Sequence, residues 1–235
     1  MSRYLEGARA ALPIMLGYVP VGIAYGVLAR QAGLSPLETS AMSLLVFAGA
    51  SQFIAVGMLA DGAGALSIVA TTLVVNLRHV LMSSTVARYI KPESLPLAAL
   101  LSFELTDESF AVSMADPSRI KDRPGFMLGL QSAAQAAWVA GSAIGAFFGP
   151  LVNSASYGIP FALPALFICL LVLQLKSAQH VVVMLAAGAL SVGFKYLLGG
   201  NWNLLLAAAL ASALGMWLAR DTREDKIRPE GAGPG

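Results

Sequence analysis

Charged residues are scarce in this sequence, since only 12% of its 235 residues are Asp, Glu, Lys or Arg. Soluble domains carry about a quarter charged residues, so this chain lacks the side chains that would cover a surface in water. Its formal net charge is +2, and its basic residues are scattered between apolar runs and at the two ends. This distribution excludes a nucleic-acid partner and indicates that lipid is the solvent.

Residues for hydrolytic, redox or metal chemistry are also few. The single cysteine, Cys169, cannot form an internal disulfide, and with the two histidines His79 and His180 it makes no persuasive metal site. No GxxxxGKS or GxxxxGKT, HExxH or GxSxG pattern occurs, so we expect no nucleotide hydrolysis, no cofactor and no enzymatic activity.

Hydrophobic residues make up 57% of the sequence, and its mean hydropathy is +0.72. They form long apolar runs separated by Gly, Pro and charged residues, which predicts an all-α, polytopic transmembrane bundle of about seven or eight spans, some broken or kinked by Gly or Pro. We expect residues 1–219 to form one transmembrane transporter domain and the polar residues 220–235 a disordered tail. The eight runs are Ala11–Ala29, Leu37–Ala60, Ala65–Ala87, Pro96–Ala115, Gly125–Gly149, Phe161–Leu175, Val181–Leu198 and Trp202–Ala219.

The basic residues favour one orientation, because Lys and Arg accumulate in cytoplasmic segments. Eight spans with a cytoplasmic N-terminus place ten basic residues inside and four outside. Seven spans would put the basic C-terminal tail outside. We therefore expect a multi-pass protein of the bacterial inner membrane with both termini in the cytoplasm, although the pair of short runs at 161–198 also fits a re-entrant segment.

Polar and ionisable residues cluster near the centres of the third and fourth runs. Asn76, Arg78 and His79 lie in the third, where Thr72, Asn76, His79 and Ser83 have the spacing of one helix face. Glu104, Asp107 and Glu108 follow i, i+3, i+4 in the fourth, which predicts three carboxyls on one helix face. An ionised group at this depth costs roughly 2.5–3.5 kcal/mol, so the two groups should meet.

Two interpretations of this cluster remain open. Arg78 and an acid such as Asp107 could form a structural ion pair that locks two helices together. Three acids against one arginine favour the other interpretation, in which at least one acid keeps its proton and serves as a proton carrier.

Gly and Pro predict where the spans deviate from regular helix. Pro13 and Pro20 flank Gly17 in the first run, which we expect to break and expose backbone groups that help to bind a zwitterion, unless the prolines only kink it. In the second run, Ser51 and Gln52 either line a pocket or form an interhelical hydrogen bond. A small-residue ridge in the fifth run predicts helix packing; it consists of Gly141, Gly145 and Gly149.

Three segments together carry a resemblance to a known family. They read Phe-Ala-Gly-Ala-Ser-Gln-Phe at 47–53, Val-Asn-Leu-Arg-His-Val-Leu-Met-Ser at 75–83 and Leu-Thr-Asp-Glu-Ser-Phe at 105–110. In type, order and spacing they resemble the AzlC family. The resemblance implies the large subunit of a two-component exporter of branched-chain amino acids (Leu, Ile and Val), acting with a small AzlD-type membrane subunit.

The resemblance supplies the substrate class, and the residues then suggest a hypothesis for the mechanism. A midplane site between the first four spans would bind the substrate carboxylate through Arg78. Coupling to protons is preferred because no ATP-binding motif is present. The substrate-binding candidates are Arg78, Asn76, Ser51, Gln52, Phe47, Phe53 and Met82, and the proton-coupling candidates are Asp107, Glu108, Glu104 and His79.

Two other classes of function fit the same residues. A passive channel for small polar solutes would line a water path with these charges, and its flux would neither saturate nor respond to a proton uncoupler. A noncatalytic scaffold subunit would use them to hold helices together while it stabilises a partner.

Overall fold

The computed structural model describes residues 3–90, 94–121, 124–151 and 177–197, and some positions within 158–175 and 206–218. These parts of the chain contain helices and no β-strand, in agreement with the predicted all-α class. The helices are α1 Arg3–Ala10, α2 Leu12–Gln31, α3 Pro36–Leu45, α4 Gly49–Ala60, α5 Ala65–Val86, α6 Leu95–Phe103, α7 Asp107–Ala115, α8 Pro124–Phe148 and α9 Ala178–Leu197, with short 3-10 turns at Pro117–Arg119 and Gly149–Leu151.

Three of these helices, α2, α5 and α9, are long and apolar enough to cross a membrane. They correspond to the first, third and seventh apolar runs, and the 25-residue α8 corresponds to the fifth. Parts of the sixth and eighth runs and the whole tail at 220–235 lie outside the described residues, so the count of seven or eight spans stays a prediction. The chain forms two compact units, Met1–Leu166 and Phe167–Gly235.

The second and fourth apolar runs are each split into two short helices. α3 and α4 are separated at 46–48, and α6 and α7 at 104–106. Each pair begins with a serine N-cap, Ser35 or Ser94, followed by a proline in the first turn. Each second helix is followed by an aspartate C-cap, Asp61 or Asp116. The two broken spans therefore share one design, and each follows a long helix, α2 or α5.

The expected break in the first run is wrong, because α2 continues from Leu12 to Gln31 through Pro20. Pro13 lies in the first turn, where a backbone N–H has no intrahelical partner to lose. Pro20 removes one internal hydrogen bond, and close packing on α8 supports the helix around it. The backbone from Gly17 to Gly22 is thus not available to a substrate.

Close approach of α2 and α8 depends on glycine. A Cβ atom on Gly145 would overlap the carbonyl oxygen of Ile23, and one on Gly26 would overlap that of Ser142. A Cβ on Gly141 would lie 2.7 Å from the carbonyl oxygen of Val19. The predicted role of the glycine ridge in packing is confirmed, and the helix that it contacts is α2.

The short helix α1 packs against the same long helix nearer its start. A Cβ atom on Gly7 would overlap the carbonyl oxygen of Phe126, and one on Gly129 would overlap that of Tyr4. In contrast, Val86 is the only buried residue of α5, and α9 has none. Mostly exposed apolar helices are expected where side chains face lipid or a membrane partner.

Candidate functional site

The break between α6 and α7 carries all three acidic candidates. Glu104 is the C-cap of α6, and Asp107 and Glu108 are the first two residues of α7. Thr106 caps α7 in a reciprocal capping box with Ser109, whose Oγ accepts the Thr106 backbone N–H at 2.9 Å. The predicted single face of three carboxyls is therefore wrong, because the helix is interrupted between them.

The helix break also gives a physical reason for acids at this position. The first N–H groups of a helix have no intrahelical acceptor, and the aligned peptide dipoles place partial positive charge there. Asp107 and Glu108 lie at this positive end of α7. A carboxylate is stabilised there more than in the middle of a continuous helix.

Arg78 and Asp107 form an ion pair between α5 and α7. The Nη1 atom of Arg78 lies 2.7 Å from Oδ2 of Asp107, with 32% and 21% of the two side chains exposed. The expected meeting of charged groups from the third and fourth runs is thus observed. Partial exposure leaves both groups reachable by a small polar molecule.

The other two acids have different surroundings. The hydroxyl of Tyr18 on α2 donates to Oε2 of Glu108 at 2.6 Å and lies 2.9 Å from Oγ1 of Thr106. Glu104 is buried, and within the described part of the chain its Oε2 has no hydrogen-bond partner. The three carboxyls therefore differ in their partners. Asp107 pairs with arginine, Glu108 accepts a hydrogen bond from tyrosine, and one oxygen of Glu104 has no hydrogen-bond partner among the described residues.

A hydrogen bond between Ser51 and Asn76 links α4 to α5. Ser51 Oγ donates to Oδ1 of Asn76 at 2.6 Å. The residues of the predicted polar stripe of α5, Thr72, Asn76, His79 and Ser83, are all half-buried, whereas half of the residues of the helix are exposed. The third run therefore turns its polar face toward the other described helices, with His79 directly beside Arg78.

Gln52 joins α3 and α4, the two halves of the broken second run. Its Nε2 donates to Oγ of Ser43 on α3 at 3.1 Å, and its Oε1 accepts the indole N–H of Trp138 on α8 at 3.0 Å. Ser43 Oγ donates in turn to Ser142 at 2.8 Å. Gln52 is completely buried, and in this conformation its amide is engaged with protein.

The three candidates for a lipophilic pocket lie in two hydrophobic clusters. Phe47 and Phe53 belong to one cluster with Tyr25 and Trp138, whereas Met82 packs against a second cluster around Leu101 and Leu105. Phe47 and Phe53 are both 3% exposed. The described conformation thus keeps these aromatic rings inside the protein, and Met82 lies apart from them.

Tyr18 is the residue that sequence reasoning missed. It packs against both hydrophobic clusters, and its ring meets Phe47 and Trp138 edge to face, with centroids 6.5 and 5.4 Å apart. Tyr18 lies between Pro13 and Pro20, and this proline pattern predicts a role for the backbone and none for the hydroxyl. The available signal was a phenol near the middle of an apolar run, since tyrosine in membrane proteins is enriched at the two interfaces.

Comparison with known proteins gives one consistent result. The family described as AzlC protein matches residues 13–152, more than half of the chain. An uncharacterized membrane protein of Archaeoglobus fulgidus is 36% identical over 214 residues, which cover 90% of this chain and 93% of the relative. The inner membrane protein YgaZ of Escherichia coli is 36% identical over 199 residues, 80% of each chain.

A third relative has a functional name. The branched-chain amino acid transport protein AzlC of Bacillus subtilis is 33% identical over 204 residues, which cover 85% of this chain and 78% of the relative. No solved structure matches the chain. Together with its long apolar helices, these matches show that the chain is a membrane protein and that it belongs to the AzlC family.

Proposed function

We propose that this protein is the large membrane subunit of a secondary exporter that exchanges branched-chain amino acids for protons. The substrate class is supported by the name of the Bacillus subtilis relative, a branched-chain amino acid transport protein. The observation that carries the proposal is the partly exposed ion pair between Arg78 and Asp107 at a helix break.

The ion pair matches the charges of an amino-acid zwitterion. A zwitterion that enters between the two side chains places its carboxylate on Arg78 and its ammonium on Asp107. Because Arg78 and Asp107 carry opposite charges, a bound zwitterion replaces one ion pair by two. No charge is then left unpaired in a medium where an unpaired charge costs several kcal/mol. Asn76, two residues before Arg78 on α5, and Ser51, which donates a hydrogen bond to it, would orient the substrate.

Competition at Asp107 supplies the coupling. A proton that binds Asp107 removes the negative charge that holds the substrate ammonium, so proton and amino acid exclude each other. Proton entry then drives amino-acid exit. His79, half-buried next to Arg78, would pass the proton, and Glu104 and Glu108 complete the set of groups that exchange it.

The aliphatic side chain of the substrate needs only apolar contact. Phe47, Phe53 and Gln52 lie at or beside the start of α4, and Met82 lies one turn beyond Arg78 on α5. In the proposed cycle Phe47, Phe53 and Met82 form the lipophilic surface when the protein opens, and Gln52 supports it. A small AzlD-type membrane subunit would cover part of the exposed apolar surface of α5, on which Leu66, Leu73 and Leu81 are all more than 60% exposed.

The substitution Asp107→Asn tests the proposal. We expect it to abolish proton-driven efflux of labelled valine from loaded membrane vesicles while the protein still inserts, because the amide can neither bind a proton nor hold the ammonium. The matched control is Asp116→Asn at the other end of α7, where the acid pairs with exposed Arg119 at 3.3 Å. Unchanged efflux by Asp107→Asn would remove this residue from the mechanism, and efflux that neither saturates nor responds to an uncoupler would indicate a channel.

A further inference from the structure

The two helix breaks of the first unit are joined by Tyr18. Its hydroxyl contacts Glu108 and Thr106 at the α6/α7 break, and its ring contacts Phe47 at the α3/α4 break. Trp138 of α8 supports the same ring from another side, with centroids 5.4 Å apart. Tyr18 itself lies on α2, which is continuous. A change at one break can therefore reach the other through a single side chain held on a continuous helix.

The α3/α4 break stores backbone strain at the point that Tyr18 contacts. Phe47 has a φ of +41° and, within the described residues, is the only residue other than glycine with a positive φ. Such a conformation is unfavourable for a bulky residue and persists only where surrounding contacts enforce it. Phe47 is buried against Tyr18 and the aromatic cluster, so these contacts hold the break in its present form.

The bond between Tyr18 and Glu108 depends on charge. A hydroxyl that donates to a carboxylate at 2.6 Å makes a charge-assisted hydrogen bond, about twice as strong as one between neutral groups. When Glu108 binds a proton it becomes a neutral acid, and the bond to the tyrosine weakens.

Apart from Tyr18, the charged and titratable groups around Glu108 lie on α5, α6 and α7. Asp107 beside it is paired with Arg78, and His79 lies next to Arg78 on α5. Glu104 is at the preceding helix end. The helix α8, which also packs on α7, carries no charged residue between Pro124 and Phe148. Within the described residues, the Glu108 carboxylate accepts a hydrogen bond from the hydroxyl of Tyr18 at 2.6 Å.

We infer that Tyr18 is a positioning residue that transmits proton binding at Glu108 to the α3/α4 break. With Glu108 ionised, Tyr18 is held, Phe47 stays in its strained conformation and the break is closed. With Glu108 protonated, the tyrosine ring is released, Phe47 relaxes and the start of α4 becomes accessible. The inference deepens the proposed function and rests on it, since opening at α4 would expose the amino-acid site beside Ser51.

The test uses Tyr18→Phe, which keeps the ring and removes the hydroxyl, and Tyr25→Phe as the control. Tyr25 lies two turns further along α2 and also packs against Trp138, but no described hydrogen bond joins it to an acid. All variants are made in full-length protein with Cys169→Ser. The reporter is a cysteine in place of buried Ala48 in the α3/α4 break, and its rate of labelling by a maleimide is measured. That rate is divided by the rate for a second reporter, Ala63→Cys, in the loop after α4. This readout needs no substrate.

We expect this labelling ratio to rise at acidic pH in the parent protein and in Tyr25→Phe. In Tyr18→Phe it should be high at every pH, about tenfold above the parent at neutral pH, the factor expected when a hydrogen bond to a charged group is lost. A ratio that ignores pH in the parent, or that keeps its pH dependence in Tyr18→Phe, would overturn the inference.

Valine counterflow separates the inference from the proposed function. We expect Tyr18→Phe to retain exchange of labelled for unlabelled valine, because Asp107 and Arg78 are unchanged, while the pH profile of that exchange differs from the parent's, because opening at α4 no longer depends on a proton at Glu108. A parent protein without valine counterflow would refute the substrate assignment and leave the labelling result to decide the role of Tyr18. Counterflow with an unaltered pH profile in Tyr18→Phe would refute that role alone.

Discussion

The buried amide of Gln52 holds three helices together. One side chain connects α3, α4 and α8 through Ser43 and Trp138. Buried polar groups that lose their partner retain the cost of desolvation, about 1–3 kcal/mol for a neutral group. The pair of helices α3 and α4 is therefore held in shape by hydrogen bonds as well as by apolar contacts.

Replacing Gln52 by leucine should destabilise the protein, because the indole N–H of Trp138 would be left without its acceptor. We expect a loss of about 1–3 kcal/mol, measured as a lower melting temperature in detergent. The matched control is Gln135→Leu, since Gln135 makes an exposed hydrogen bond to the carbonyl of Leu44 at 3.1 Å. Equal melting temperatures for the two variants would contradict the role given to Gln52.

At the residue scale the sequence predicts charges better than it predicts their partners. The cost of an unpaired ion in lipid is sufficient to predict an ion pair between Arg78 and an acid such as Asp107. The partner of Glu108 could not be found in this way, because Tyr18 is neutral and lies in an apolar run. Its contacts depend on how α2 packs against both breaks, which no local pattern encodes.

At the scale of elements, the helix breaks occur away from the prolines. The first run holds two prolines and stays helical, whereas 46–48 and 104–106 hold none and are interrupted. The sequence did contain a signal for the second break, since Thr106 and Ser109 have the spacing of a capping box at a helix start. The first break has no side-chain cap at Ala48, and only tertiary contacts explain it.

The packing of α2 against α8 gives a prediction at the scale of elements. Gly145→Ala should destabilise the protein by about 1–3 kcal/mol, the usual cost of forcing an extra carbon into a packed interface, because its Cβ would overlap the carbonyl oxygen of Ile23. Gly17→Ala on α2 is the control, since a Cβ there meets nothing within 4 Å. It should be neutral or stabilising by up to about 1 kcal/mol.

Thermal unfolding of both glycine variants in the same detergent checks this difference. If Gly145→Ala melts at the temperature of Gly17→Ala, the two helices do not approach as closely as described.

For the whole molecule, composition alone was enough to predict a helical membrane protein. Low charge and long apolar runs leave few alternatives, because only helices and closed barrels satisfy the backbone in lipid. The number of spans and their orientation need more information than hydropathy contains. Two runs that appear continuous in the sequence are pairs of short helices, and length-based counting does not distinguish these cases.

The proposed orientation can be tested by cysteine labelling. In a Cys169→Ser background, Ser94→Cys before α6 should react with a membrane-impermeant maleimide in intact cells, because this loop is predicted to lie outside. Ser118→Cys after α7 should react only after the membrane is opened, because Arg119 and Lys121 favour the cytoplasm there. Both positions are exposed, so a reversed pattern would show that the N-terminus lies outside.

The contact between α1 and α8 has a consequence for biosynthesis. The helix α1 meets its partner only when the ribosome has translated the region around Gly129, just over half of the sequence. Until then, the glycine surfaces of α1 and α2 that α8 will cover have no counterpart in the nascent protein. The packing of α1 and α2 described here is therefore complete only after α8 has been made.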